Sequence, residues 1–279
     1  MTGSIPYWHV DAFAERPFSG NQAAVMMLEA WPEDYLLQAI AQENNFAETA
    51  FLVADAGDAA DWELRWFTPA CEVRLCGHAT LAAGHVLLQS DREASEVRFR
   101  TRRAGVLNVR RLAQGYELGL PAIATQPAPW PEAEKLLGST PLECWSNPDG
   151  YTIFLFEDEA AVRGLRPDLL GLAALGEHQF ICTAGGSATE VVSRVFVPGA
   201  GVPEDSVTGS AHAALTPFWA ARLGRMSLSA CQASTRGGHL DCRLEGDCVW
   251  LGGQCFTVME ARFRLGAGWS DLPVEPQRG

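Results

Sequence analysis

Two stretches of the chain repeat each other, Arg65-Trp66-Phe67-Thr68-Pro69 with Cys76-Gly77-His78-Ala79, and Arg194-Val195-Phe196-Val197-Pro198 with Thr208-Gly209-Ser210-Ala211. The separation of Arg65 from Arg194 is nearly that of Gly77 from Gly209. A third match follows in the same order and at almost the same separation. Arg103, Gly105, Leu107 and Arg110 recur as Arg236, Gly238, Leu240 and Arg243. Three ordered matches at nearly constant offset read as one fold written twice.

The apolar pattern around the repeat specifies that fold. His78 to Gln89 is apolar on almost every side, and so is Ser210 to Leu223. Helices of that kind belong inside a domain rather than on its surface. Pro217 sits inside the second, where a proline removes a hydrogen bond and favours a kink. Short strand-like runs surround both: Ala50 to Val53, Leu64 to Phe67, Val97 to Phe99, Val106 to Val109 and Tyr116 to Leu120, then Tyr151 to Phe156, Phe180 to Thr183 and Val191 to Val197. Pro32 to Glu43 has helical spacing, with Pro32 placed for a first turn. The expectation is an α+β protein of two pseudo-symmetric domains, each a curled mixed sheet around a central helix. The first spans 1–118, completed by a last strand at about 258–265. The second spans 119–257, entered through the proline-rich Pro121 to Pro131, and 266–279 reads as a loose tail.

Composition narrows the function. The 279 residues have 47% apolar and 20% charged content, an ordinary globular balance at a length that suits two domains. Net charge is −13 with no basic stripe, which argues against nucleic acid or anionic membrane as partner. No apolar run reaches the ~20 residues that span a bilayer, and Met1 to Val10 does not resemble a signal peptide, so a cytoplasmic location is expected. Of 21 basic residues only Lys135 is lysine, and it lies in a polar helical stretch. Imine chemistry needs a desolvated lysine amine, so it is all but excluded. The eight cysteines form no CxxC and the six histidines no HExxH, so no metal site is expected.

Both central helices start beside a glycine, Gly77 and Gly209. A helix start carries unsatisfied N–H groups and a partial positive charge, and two of them facing each other suit a carboxylate. Alternatively the glycines serve only a tight strand-to-helix turn. Titratable or polar residues flank both starts: Cys76 and His78 at the first, Asp205, Thr208 and Ser210 at the second. Asp or Ser before a helix is commonly a cap. Glu48 leads into the apolar run Ala50 to Val53, where a glutamate is either solvated or functional.

In order along the chain stand Gly20-Asn21-Gln22-Ala23-Ala24-Val25, Glu48-Thr49-Ala50-Phe51, Phe67-Thr68-Pro69 with Glu72-Val73, Cys76-Gly77-His78-Ala79-Thr80, Asp205-Ser206-Val207-Thr208-Gly209-Ser210-Ala211 and Arg236-Gly237-Gly238. This set resembles the phenazine-biosynthesis PhzF-like isomerases over nearly the whole chain to about Leu265. The resemblance implies a diaminopimelate-epimerase-like fold and a cofactor-independent isomerase acting on a small carboxylic acid, usually as a homodimer. Position by position it makes Glu48 the general acid/base, with His78, Asp205 and Ser210 as its polar partners in catalysis. Gly77 and Gly209, with Thr208 and Cys76 beside them, fall where the substrate is held. Gln22 and Ser206 replace prolines common in the family, which bears on loop geometry and substrate choice. Racemases of this fold use two facing cysteines. Cys76 occupies the first position, but the second half offers only Ser206 or Thr208, whose hydroxyls are weaker bases than a thiolate. Two-base racemisation is the alternative reading, and a carboxylate-binding protein without turnover is the third.

Overall fold

The computed structural model describes residues 4–266. The first half begins with β1 (Ser4–Ala12) and β2 (Asn21–Leu28), an antiparallel pair. Helix α1 (Asp34–Asn44) carries the chain to β3 (Glu48–Ala54), parallel to β2. After β4 (Trp62–Phe67) and the short β5 (Glu72–Val73), helix α2 (Gly77–Ser90) crosses to β6 (Glu96–Thr101), parallel to β4. Then β7 (Val106–Arg111) and β8 (Tyr116–Pro121) extend the sheet antiparallel.

The second half repeats this course. β9 (Gln126–Pro127) pairs with β10 (Glu143–Ser146) after helix α3 (Pro131–Leu136). β11 (Tyr151–Leu155) is followed by α4 (Glu159–Gly164) and α5 (Leu169–Ala174), then by the parallel β12 (Gln179–Gly185). β13 (Val191–Val197), β14 (Val202–Asp205) and helix α6 (Gly209–Leu223) lead to β15 (Ser227–Gln232), parallel to β13. β16 (Gly238–Glu245) and β17 (Cys248–Gly253) follow, and β18 (Cys255–Arg264) returns to pair along β1. The fold is α+β, two pseudo-symmetric curled sheets, each around a buried helix. The tail read at 266–279 lies, apart from Gly266, outside the described residues.

The halves join where β8 pairs with β17. Leu118 faces Leu251 there and Gly119 faces Trp250. The sequence offset that relates Gly77 to Gly209 carries each of these pairs onto the other, so the local pseudo-two-fold axis passes between them. The same operation exchanges the two glycines.

Both central helices are buried from their first residue, Gly77 through Leu88 in α2 and Gly209 through Thr216 in α6. They share one core with the inner faces of both sheets, including Val25, Leu52, Phe99, Leu118, Leu215 and Leu251. α1 covers the outer face of the first sheet through Leu36, Leu37 and Ile40 on Met26 and Phe51. α3, α4 and α5 cover that of the second through Ala133, Val162 and Leu172 on Phe154 and Phe180.

The repeated R-x-F has a physical basis. Arg65 donates to both carboxylate oxygens of Glu72 at 2.7 and 2.8 Å, its guanidinium 5.0 Å from the centre of the Phe67 ring. Arg194 does the same to Glu204 at 2.8 and 3.0 Å, 4.9 Å from the Phe196 ring. In each half this bidentate clamp ties the long strand to the short one that delivers the chain to the central helix.

One expectation changes and one local conflict is resolved. α1 starts at Asp34, so Pro32 precedes the helix; Arg65, 2.9 Å from the Asp34 carboxylate, anchors that first turn instead. Pro217 lies inside α6 without ending it. The Ala213 carbonyl that a residue-217 N–H would have used accepts instead from Ile123 N at 3.1 Å. The linker between the halves thus satisfies the group that proline frees.

Candidate active site

The starts of α2 and α6 abut. A Cβ built on either Gly77 or Gly209 would lie 3.0 Å from the other's Cα, so each glycine makes room for the opposite helix end. Neither has a positive φ, and a turn requirement does not explain them. The N-cap residues, Cys76 and Thr208, give no side-chain cap bond, so the first-turn N–H groups are not claimed by caps.

A cavity of about 150 Å³ opens over these helix starts. Its wall includes Glu48, Cys76, Gly77, His78, Asp205, Thr208, Gly209 and Ser210, every residue singled out from sequence. Ala47, Thr68, Val73, Leu75, Gln179, Val197, Ala200 and Val202 complete it, mostly apolar.

Glu48 opens β3. Asn45 just before it adopts the left-handed conformation that closes α1, and Asn44 donates to Thr49 Oγ1 at 3.0 Å. Phe46 stacks on His9 at 4.3 Å, and Gln22, where proline is common, hydrogen-bonds His9 Nε2 at 3.1 Å. Gln22 thereby braces the turn that presents Glu48. The Glu48 side chain is 16% exposed, with Oε2 3.0 Å from His78 Nε2 but off the N–H direction, so this buried oxygen has no aligned hydrogen-bond donor.

His78 is buried at the start of α2. Burial opposes its imidazolium, while the charges of a Cys76 thiolate and of Glu48 push its pKa well above the ordinary value. Burial, reinforced by Glu48, pushes the Cys76 thiol up to about 11, so Cys76 is a thiol at neutral pH and Glu48 is then the only one of the two charges acting. The Asp205 carboxyl is raised, first by burial, and by Glu48 against the opposing pull of His78. Asp205 does not cap α6. It accepts from Thr208 Oγ1 at 2.5 Å and Asn21 Nδ2 at 2.7 Å.

Three contributors escaped the sequence reading as site residues. Gln179 donates to Ser210 Oγ at 3.0 Å. Gln232, fully buried, accepts from Thr208 N at 2.8 Å and donates to the Asp205 carbonyl at 2.8 Å. Asn21 lies in the quoted Gly20-Asn21 element, a signal that was available; neither glutamine carries one. Where spacing suggested no metal ligands, Glu48, Cys76 and His78 hold three potential ligand atoms within 4.8 Å of one another. Lys135, the single lysine, is exposed on α3.

Fold and site define a class: a duplicated α+β protein with one acid-rich cleft at the meeting of two buried helix starts. The family model for phenazine biosynthesis-like proteins matches residues 10–261. An uncharacterized isomerase of Pseudomonas aeruginosa is 47% identical, the match covering 94% of this chain and 99% of that one. A PhzF-family crystal structure from Enterococcus faecalis superposes with TM-score 0.86 at 39% identity, covering 94% of this chain and 100% of that one. A hydroxyproline epimerase from Agrobacterium vitis, 12% identical with TM-score 0.63 and coverage of 93% and 92%, shares the fold alone. The chain belongs to the phenazine biosynthesis-like PhzF family, on the diaminopimelate-epimerase-like fold. Among the described residues no helix is long and apolar enough to cross a membrane.

Proposed function

We propose that this protein is a cofactor-independent isomerase that moves a proton between carbon atoms of a small, cyclic carboxylic acid, with Glu48 as its single acid/base. The observation that carries the reading is the Glu48 carboxylate, one oxygen buried without an aligned donor, in the same cavity as two uncapped helix starts. The substrate carboxylate sits against the N–H groups at Gly77 and Gly209. Glu48 takes a proton from an acidic C–H and returns it to another carbon on the same face. His78, Asp205 and Ser210 hold the ring and steady the charge that builds on the enol-like intermediate. The apolar wall of Val73, Leu75, Val197 and Val202 slows exchange of that proton with water.

The two-base alternative is weaker. Thr208 stands at the position equivalent to Cys76, its hydroxyl already given to Asp205, and the Cys76 thiol holds its proton until about pH 11. The test begins with a thermal-shift screen of cyclic amino and hydroxy acids, since a ligand at 100 times its Kd stabilises by about 2.7 kcal/mol. Each stabilising acid is then incubated in D₂O and followed by NMR. Wild type moves part of the substrate's own hydrogen to a new carbon, and Glu48→Gln slows this by about 10²–10⁴-fold. Full activity in Glu48→Gln, or solvent deuterium entering with inversion at one carbon, overturns the proposal.

A further inference from the structure

The strand that opens with Glu48 in the first half corresponds to the one that opens with Gln179 in the second. Thr49 stands opposite Phe67 across β3 and β4, and Phe180 opposite Phe196 across β12 and β13. Phe67 and Phe196 are the paired phenylalanines of the repeated R-x-F. Glu48 and Gln179, each one residue earlier, therefore occupy the same position of the duplicated fold. Strand register alone reveals this, since Ala47-Glu48-Thr49-Ala50 and His178-Gln179-Phe180-Ile181 have no residue in common. Their neighbours correspond too. Glu48 Oε2 lies 3.0 Å from Nε2 of His78, the residue after Gly77, and Gln179 Nε2 lies 3.0 Å from Oγ of Ser210, the residue after Gly209. Gln179 Oε1 is 3.3 Å from the same Oγ, so the amide engages Ser210 whichever way round it lies. All four side chains line the one cavity.

The two walls share a shape and differ in chemistry. A glutamine amide and a serine hydroxyl neither take nor release a proton near neutral pH. Asp205, the acid that the second half adds to this cavity, has Oδ1 bonded to Asn21 and Oδ2 to Thr208. A carboxylate seated on the N–H groups at Gly77 and Gly209 straddles the pseudo-two-fold axis that exchanges them. A half-turn about that axis swaps the two faces of an attached ring, so Glu48 meets one face and Gln179 the other.

We infer that Gln179 is a specificity-determining residue, the neutral counterpart of Glu48, which leaves one face of the bound acid without a proton carrier and so fixes which mirror image of a chiral acid is turned over. This rests on the Glu48 reading and deepens it.

The probe is racemic cyclohex-2-ene-1-carboxylic acid, whose C1 proton lies beside both the carboxyl group and the alkene. Removing it breaks the C1–H bond, and the freed electron pair forms C1=C2. The former C2=C3 pair takes the proton at C3, giving achiral cyclohex-1-ene-1-carboxylic acid with no oxidant or reductant. Chiral chromatography follows each mirror image of the remaining substrate. Wild type consumes one of them. Gln179→Glu consumes the other at least about tenfold faster than wild type does, and Glu48→Gln combined with Gln179→Glu reverses the preference. Gln179→Leu keeps a neutral wall and the wild-type preference.

A second readout needs no turnover. Glycidic acid takes the same carboxylate seat, and a side-chain carboxylate opens its epoxide: an ester C–O bond forms, the epoxide C–O bond breaks and water protonates the alkoxide. Peptide mass spectrometry finds this label on Glu48 in wild type and on position 179 in the double variant. Label on Glu48 in wild type but none at position 179 in the double variant overturns the inference, as does an unreversed preference. If the charged variants do not fold, Gln179→Leu still decides, because loss of the wild-type preference there would overturn it. Failure of the Glu48 reading would appear instead as full activity in Glu48→Gln, with no label on Glu48 in wild type.

Discussion

Removing the Arg236 guanidinium should cost far more stability than its place near the surface suggests. Arg236 reaches from the second half to the β1–β2 turn of the first, donating to Asp11 Oδ1 at 2.8 Å, the Gly20 carbonyl at 2.8 Å and the Ser19 carbonyl at 3.1 Å. Asp11 is 1% exposed and, besides Arg236, accepts from Phe18 N at 2.7 Å. Arg236→Met keeps the aliphatic stem and leaves a buried carboxylate without its counter-charge. Breaking such a pair costs about 3–5 kcal/mol. With the Arg236 side chain 26% exposed, water can partly replace it, which puts the expected loss near the lower end, about 3 kcal/mol. At about 2–4 °C per kcal/mol for a chain somewhat shorter than this one, the melting temperature should fall by roughly 6–12 °C. Calorimetry and urea titration measure it. Arg98→Met, which removes the partner of Asp61 in a pair about 40% exposed on both sides, is the control and should leave stability close to that of the wild type. Adding Asp11→Asn to Arg236→Met should recover part of the loss. If Arg236→Met costs no more than Arg98→Met, the buried-charge argument is wrong.

Gly209→Ala drives a methyl to 3.0 Å from the Gly77 Cα; overpacking of this kind costs about 1–3 kcal/mol and spreads the helix starts, so binding of a carboxylate ligand should weaken, whereas Gly185→Ala, with open space around it, should leave stability within about 1 kcal/mol and binding unaltered. Isothermal titration with the acids found by thermal shift would show it, and equal binding in both variants would contradict the role of the glycine contact. Buried Cys76, its thiol near 11, should resist iodoacetamide at pH 8 while exposed Cys71 is modified first, as peptide mass spectrometry would reveal; rapid labelling at Cys76 would instead favour the two-base enzyme. Burial holds His85 and His212 down to about 4. The unfolded chain binds their protons from about pH 6.5 downward and the native one only near 4, so this contribution to stability is whole above pH 6.5 and is lost as pH falls toward 4. Urea midpoints across that window should flatten in His212→Leu, and an unchanged pH slope would count against the buried neutral ring.

The sequence by itself determined the duplication, the α+β class and the identity of the two central helices. Each is a local or periodic property: the ordered Arg65/Arg194, Gly77/Gly209 and Arg236 matches, and runs of small and apolar residues with no polar face. It also yielded eight of the residues that line the cavity, though not Gln179, because six short motifs in order select positions even where each alone is ambiguous. Tertiary structure alone decided what those residues do to one another. Gly77 and Gly209 are needed because two helix ends from opposite halves of the chain meet, a contact no local pattern encodes. The helix tolerates Pro217 because Ile123, from the linker, takes up the freed carbonyl. Asn21 is the sharpest case. Its meaning depends on distant groups, the Val207 carbonyl and the Asp205 carboxylate, which take up its amide hydrogens. Apolar periodicity is a one-dimensional signal because burial repeats along an element. Hydrogen-bond direction is not, since which lone pair meets which hydrogen is settled only when distant backbone and side chains are brought into contact.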